Sequence, residues 1–209
     1  LSPDMQKEIT SDIGAAVGNT DLRADSSFAV EPYVGALAMR NAIIAVIISF
    51  VCITLYVWAR FKSMSGLSAG ITALIALLHD VAIVFFAFAL FGIPLGDSFV
   101  AVVLTIIGYS INDTIVVYDR IRENHGNRPK EDITELVDES VTQVLSRSVN
   151  TSVTTAMCVV IILAASIIFD INSIFRFSLP MLFGLISGCY SSICIASVLW
   201  AMWKKRRKA

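Results

Sequence analysis

The stretch IIGYSINDTIVVYDRIREN, residues 106–124, begins as an apolar run, carries Asn112 and Asp113 in its middle and ends in a cluster of charges. A carboxylate at bilayer depth costs about 2.5–3.5 kcal/mol on insertion scales, so an intramembrane Asp is expected to have a function. Tyr109 and Ser110 lie one helical turn before Asp113 on the same face, and Asn112 flanks that face. Such a polar stripe has to face protein or a water-filled crevice rather than lipid.

The composition of the whole chain indicates an integral membrane protein. Of its 209 residues, 56% are hydrophobic and 16% are charged, whereas charged residues make up about 25% of a typical soluble domain. The net charge of -1 provides no overall basic surface for nucleic acid. We therefore predict an all-α membrane protein in contact with lipid, with a five-helix transmembrane bundle. Its apolar runs cover residues 41–59, 66–91, 98–118, 148–169 and 177–203.

Lysines and arginines are concentrated at three places in the chain. Two follow the first run, five separate the third run from the fourth, and five follow the last run. The second-to-third connection has none, and the fourth-to-fifth connection has only Arg176. Because cytoplasmic loops carry the excess of basic residues, we expect the C-terminus in the cytoplasm and the start of the chain on the other side.

Two further segments are predicted outside the apolar runs. Residues 1–39 are expected to be the tail of an extracytoplasmic domain, with an extended segment over residues 27–34. Residues 40–209 are expected to form the transmembrane domain. Apolar positions at helical spacing predict an amphipathic helix over about residues 130–146, either on the cytoplasmic membrane face or packed on the inner end of the bundle. The extracytoplasmic tail is expected to contain a helix built on Met5, Ile9, Ile13 and Val17.

Asp113 and Arg147 are the first candidate pair for a proton relay. Arg147 lies in VLSRSVNTSVTT, residues 144–155, at the inner end of the fourth run. It is about one to two helical turns from the level of Asp113, so a permanent contact is not implied. Asp113 could carry protons or be a fixed polar clamp between helices, and Arg147 could be an ordinary interfacial anchor.

The second candidate is the pair His79 and Asp80, in the middle of the second run. Adjacent residues point about 100° apart on a helix, so the pair is open to proton handling or to structural pairing. The sequence offers no set of His and Cys ligands for a metal site. It also lacks nucleotide-binding, nucleophile-elbow and metalloprotease motifs. We therefore expect a protein that is not an enzyme, has no cofactor and draws on the membrane potential and proton gradient.

The opening stretch, LLHDV at residues 77–81 and VLSRSVNTSVTT together resemble the SecF branch of the SecD/SecF family of protein-export membrane subunits, over about residues 30–205. The resemblance implies membership of the RND superfamily, in which each half has six membrane helices and a large outer domain. This chain would then be a fragment that supplies the last five helices and a short remnant of the outer domain.

The same resemblance implies a function in the bacterial cytoplasmic membrane. The family uses the proton-motive force to assist preprotein export, together with SecD, the SecYEG channel, accessory subunits and the unfolded preprotein. Asp113 falls on the proton-linked aspartate of the family and Arg147 on its basic partner, while Asp80 matches a recurrent position of weaker assignment. An RND-type exporter of small molecules and a passive assembly subunit are the alternatives.

Overall fold

The computed structural model describes residues 8–9, 11–13 and 32–206. Five long helices make up nearly all of this part: α1 (Pro32–Arg60), α2 (Gly66–Leu90), α3 (Asp97–Asn127), α4 (Ile133–Ile168) and α5 (Asn172–Arg206). A short 3₁₀ turn, Lys62–Met64, joins α1 to α2. The described residues contain no β-strand, and each helix is long and apolar enough to cross a membrane. The predicted all-α bundle of five transmembrane helices is confirmed.

The chain divides into two compact units, Leu1–Arg40 and Asn41–Ala209. Residues 8–9 and 11–13 of the first unit are helical, and Ile9 and Ile13 are exposed. Met5, Val17 and most of the predicted extended segment lie outside the described residues. The end of that segment, residues 32–34, is helical instead, because Pro32 begins α1 and proline suits the first turn of a helix.

Helices α3 and α4 are longer than the predicted spans. The predicted amphipathic helix over residues 130–146 and the fourth span form one continuous helix, α4, which contains no Gly or Pro. Asp132 caps this helix by accepting a hydrogen bond from the Thr134 backbone N–H at 2.8 Å. The first turns of α4 pack on the extension of α3, where Asn124 Nδ2 donates to Ser140 Oγ at 2.8 Å. Apolar side chains of these turns, among them Leu136 and Val137, are buried, so this part of α4 packs on its neighbours.

The core of the second unit is formed by α2, α3 and α5. Within the apolar 18-residue stretch of each helix, 39%, 50% and 44% of the residues are buried in these three helices, against 6% in α1 and 17% in α4. Helices α3 and α5 each contact α2, α4 and one another. The faces of α1 and α4 that are not covered are large and apolar, as expected for helices that contact lipid or another membrane helix.

Small residues set the closest helix contacts. A side chain at Gly66 would strike the Trp58 carbonyl of α1, and one at Gly184 would lie 2.6 Å from Cγ1 of Ile106 on α3. Gly188, one turn after Gly184, would bring a Cβ to 3.2 Å from the Cβ of Ser110. The backbone of α5 therefore approaches α3 closely at the depth where the polar residues lie.

Candidate functional site

Asp80 is completely buried and lies inside a set of three serine hydroxyls, which we call the serine cage. Ser110 of α3 and Ser187 and Ser191 of α5 each donate a hydrogen bond to its carboxylate at 2.6 Å. An ionised carboxylate only accepts hydrogen bonds, and three hydroxyl groups at this distance can all donate to it. The cage therefore matches a charged Asp80 and joins α2, α3 and α5 through a single side chain.

His79 lies at the outer edge of this cage. Its Nδ1 atom is 3.3 Å from Asp80 Oδ1 and 3.4 Å from Ser187 Oγ. The side chain is 37% exposed, and its ring lies 6.2 Å from the ring of Tyr190. His79 thus connects the buried carboxylate to the outer surface of the bundle, and the side chains of the two neighbours are in contact.

The C-terminal half of the cage depends on an irregular turn in α5. Residues Ser191–Ala196 form a π-helical segment, a form that is frequent at functional sites. Ser191 binds Asp80, while its neighbour Ser192 lies 2.9 Å from Thr114 Oγ1 and donates to the Ser110 carbonyl at 3.1 Å. Two consecutive side chains of α5 therefore contact different helices, Ser191 binding α2 and Ser192 binding α3.

Asp113 has a much poorer set of partners. It is 8% exposed, and its Oδ1 accepts one hydrogen bond, from Ser148 Oγ on α4 at 2.8 Å. Its Oδ2 is buried and has no hydrogen-bond partner among the described residues. A buried oxygen without a partner costs about 1–3 kcal/mol, and more when it is charged. Of the two buried carboxylates on α2 and α3, Asp113 is therefore the one with fewer hydrogen-bond partners among the described residues.

Arg147 is exposed and directly precedes Ser148, the residue that contacts Asp113. In the part of the chain that the structure describes, no ion pair joins Arg147 to Asp113, although the guanidinium is near enough to act on the carboxylate through space.

The remaining predicted residues do not gather around Asp113. Ser110 binds Asp80, and the Tyr109 hydroxyl donates to Ser152 Oγ on α4 at 3.0 Å. Asn112 is exposed and lines a groove between α1 and α3. The polar residues predicted to form one stripe on α3 therefore contact different helices, with Ser110 binding α2 and Tyr109 binding α4. Positions three residues apart differ by about 60° around a helix, and α3 has neighbours on both sides.

The sequence interpretation did not include five hydroxyl residues that the structure places in these networks. A weak signal was present, since two of them are four residues apart in the fifth span and a third follows Arg147 directly. These residues are Thr114, Ser148, Ser187, Ser191 and Ser192. Among the described residues, no group of three His, Cys, Asp or Glu side chains could hold a metal ion.

Comparison with known proteins places this arrangement in a family. The family model described as "Protein export membrane protein SecD/SecF, C-terminal" matches residues 9–206. A SecF subunit of Synechocystis sp. is 38% identical over 99% of this chain and 64% of its own length. One from Alicyclobacillus acidocaldarius is 43% identical over 85% of this chain and 56% of its own length.

A solved structure gives the same result. The crystal structure of SecDF from Thermus thermophilus, described as a translocon-associated membrane protein, has a TM-score of 0.81 and 37% identity and covers 99% of this chain. The chain spans 27% of that structure's chain and 56% to 64% of the two SecF relatives. The resemblance predicted from the motifs is confirmed. The chain belongs to the SecD/SecF family of protein export membrane proteins, in the C-terminal region that the family model describes.

Proposed function

We propose that this chain is the membrane part of a SecF-type subunit of the Sec protein translocase, which uses the proton-motive force to assist preprotein export. Membership of the family supports this proposal, as does the likeness to a protein described as translocon-associated. The partners would be SecD, the SecYEG channel with its accessory subunits, and the unfolded preprotein. The chain would lie in the bacterial cytoplasmic membrane with its C-terminus in the cytoplasm.

Asp113 is the residue on which the mechanism depends. Its buried Oδ2 has no partner among the described residues, so a proton bound there removes a desolvated charge. Protonation would also turn this acceptor into a donor and end the attraction between the carboxylate and Arg147. The interaction between α3 and α4 would therefore differ between the two protonation states. A proton entering from one side and leaving on the other would drive the bundle through both states.

Asp80 would have a structural role rather than the proton-exchanging role of Asp113. Three hydroxyl donors already satisfy its carboxylate, so a proton arriving there would displace good hydrogen bonds rather than relieve an unpaired charge. We propose that Asp80 is a fixed anion that holds α2, α3 and α5 together while the α3–α4 contact changes. Ser110 and Asp113 lie within one turn of α3, so the clamp would position the helix that carries the exchanging carboxylate.

The test uses membrane vesicles that contain the full-length protein and its partners, with and without an imposed proton gradient. We expect Asp113→Asn to remove the stimulation of preprotein export by the gradient and to leave the export seen without a gradient. Asp97→Asn is the matched control, because Asp97 is an exposed carboxylate at the start of the same helix. If Asp113→Asn assembles normally and keeps the full stimulation, the chain is a passive assembly subunit and the proposal is wrong.

A further inference from the structure

A groove of about 370 Å³ opens between α2 and the C-terminal end of α5, away from both carboxylates. Four of its residues come from α5 at positions i, i+3, i+4 and i+7, which form one face over about 10 Å of helix. Two residues of α2, one turn apart, form the other wall. The lining consists of Thr72, Ile75, Leu199, Met202, Trp203 and Arg206.

Most of the groove is apolar and open to the surroundings. Ile75 is 42% exposed and Met202 is 52% exposed. The Thr72 hydroxyl is directed inward, 2.8 Å from the Tyr118 hydroxyl, so it offers no polar group to an occupant. These walls lie on transmembrane helices, where the surrounding medium is lipid, so they suit an acyl chain.

The end of the groove is basic. Arg206 lies one turn beyond Trp203 and forms no ion pair with any described residue. Lys205 beside it is exposed, and the sequence continues with two more basic residues, Arg207 and Lys208. Lys204 is used differently, since its Nζ donates to Ser65 Oγ at 2.9 Å and lies 5.9 Å from the centre of the Trp200 ring.

An apolar groove that ends in a positive charge without an ion-pair partner among the described residues fits a molecule with an apolar chain and an anionic group. We propose that it binds an anionic phospholipid, with an acyl chain along Ile75 and Met202 and the phosphate beside Arg206. Trp203 lies between these two parts, at the level where tryptophan favours the boundary between hydrocarbon and headgroups. Clusters of Lys and Arg at the end of a membrane helix are typical of binding sites for anionic lipids.

Native mass spectrometry of the full-length protein in complex with its partner subunit tests this site. The complex is titrated with phosphatidylglycerol and with phosphatidylcholine of the same acyl chains. We expect tighter retention of phosphatidylglycerol. Arg206→Gln should lower that preference by about fivefold, which corresponds to about 1 kcal/mol for one basic residue at an anionic membrane surface. Ile75→Trp should reduce retention of both lipids by filling the groove.

Arg176→Gln is the matched control, because Arg176 is an exposed basic residue at the opposite end of the same helix. It should leave the lipid preference unchanged. Equal retention of the two lipids by the parent complex would overturn the proposal. Equal loss of preference in Arg206→Gln and Arg176→Gln would also overturn it, since binding would then follow total charge. Retention that Ile75→Trp leaves unchanged would show that the lipid lies elsewhere.

Discussion

The serine cage predicts that removing a hydroxyl destabilises the protein only while Asp80 carries its charge. The perturbations are Ser110→Ala, Ser187→Ala and Ser191→Ala, each made in the parent and in Asp80→Ala. Every one of these serines donates to the carboxylate at 2.6 Å and lies in the core. Loss of any donor leaves a buried negative charge less well satisfied, whereas the same change without Asp80 removes a hydroxyl that can bond within its own helix.

The expected magnitude follows from these contacts. A hydrogen bond to a charged group contributes about 1.5–3 kcal/mol, so each Ser→Ala change should lower the free energy of unfolding by that amount in the parent. In Asp80→Ala the same change should cost less than about 0.5 kcal/mol. The difference, a coupling free energy of about 1.5–3 kcal/mol for each serine, is well above the scatter of about 0.3–0.5 kcal/mol for independent sites.

The assay is reversible unfolding of the full-length protein in mixed micelles of denaturing and mild detergent, with double-mutant cycles calculated for each serine. Ser178→Ala is the matched control, because Ser178 is a buried serine of α5 whose hydroxyl donates, among the described residues, only to the Ile174 carbonyl of its own helix. Its coupling to Asp80 should be close to zero. A coupling below about 0.5 kcal/mol for all three cage serines would refute the charged clamp.

Three further changes test the packing around the site by the same unfolding assay. Gly184→Ala should destabilise by about 1–3 kcal/mol, since its Cβ would lie 2.6 Å from Cγ1 of Ile106, whereas Gly108→Ala, with no atom within 4 Å, should cost nothing. Gly188→Ala should displace Ser110 and lower the coupling of that serine to Asp80, and an unchanged coupling would contradict this. Tyr118→Phe should lower the free energy of unfolding by about 1–3 kcal/mol, because the buried hydroxyl bonds to Thr72 and to a carbonyl of the π-helical segment. An unchanged free energy of unfolding would show that water takes the place of the hydroxyl.

The helices were predictable because long apolar runs have few alternatives in a membrane. The sequence also indicated that Asp113 is unusual, since a carboxylate within an apolar run is costly wherever the neighbouring helices lie. The exact ends of the helices were harder to predict from the sequence. The apparent break before the fourth span is only a change from an amphipathic to an apolar pattern, and α4 continues through it because no helix-breaking residue is present.

The serine cage could not be derived from spacing. Its donors are 30, 107 and 111 residues from Asp80 along the chain, so their meeting depends on how α2, α3 and α5 pack. The π-helical segment adds a local change of register in α5 that an ideal helix does not have. Ser110 illustrates the result, because it shares a face with Asp113 in the sequence pattern but binds Asp80 in the structure.

The central claim is that Asp113, rather than Asp80, exchanges the proton. Infrared difference spectroscopy of the full-length protein in lipid, recorded on acidification, measures the carbonyl stretch that only a protonated carboxyl group shows. We predict that a band from a buried carboxyl group appears in the parent and in Asp80→Asn but is missing in Asp113→Asn. A band that persists in Asp113→Asn and disappears in Asp80→Asn would contradict the account, because the proton would then reside in the serine cage.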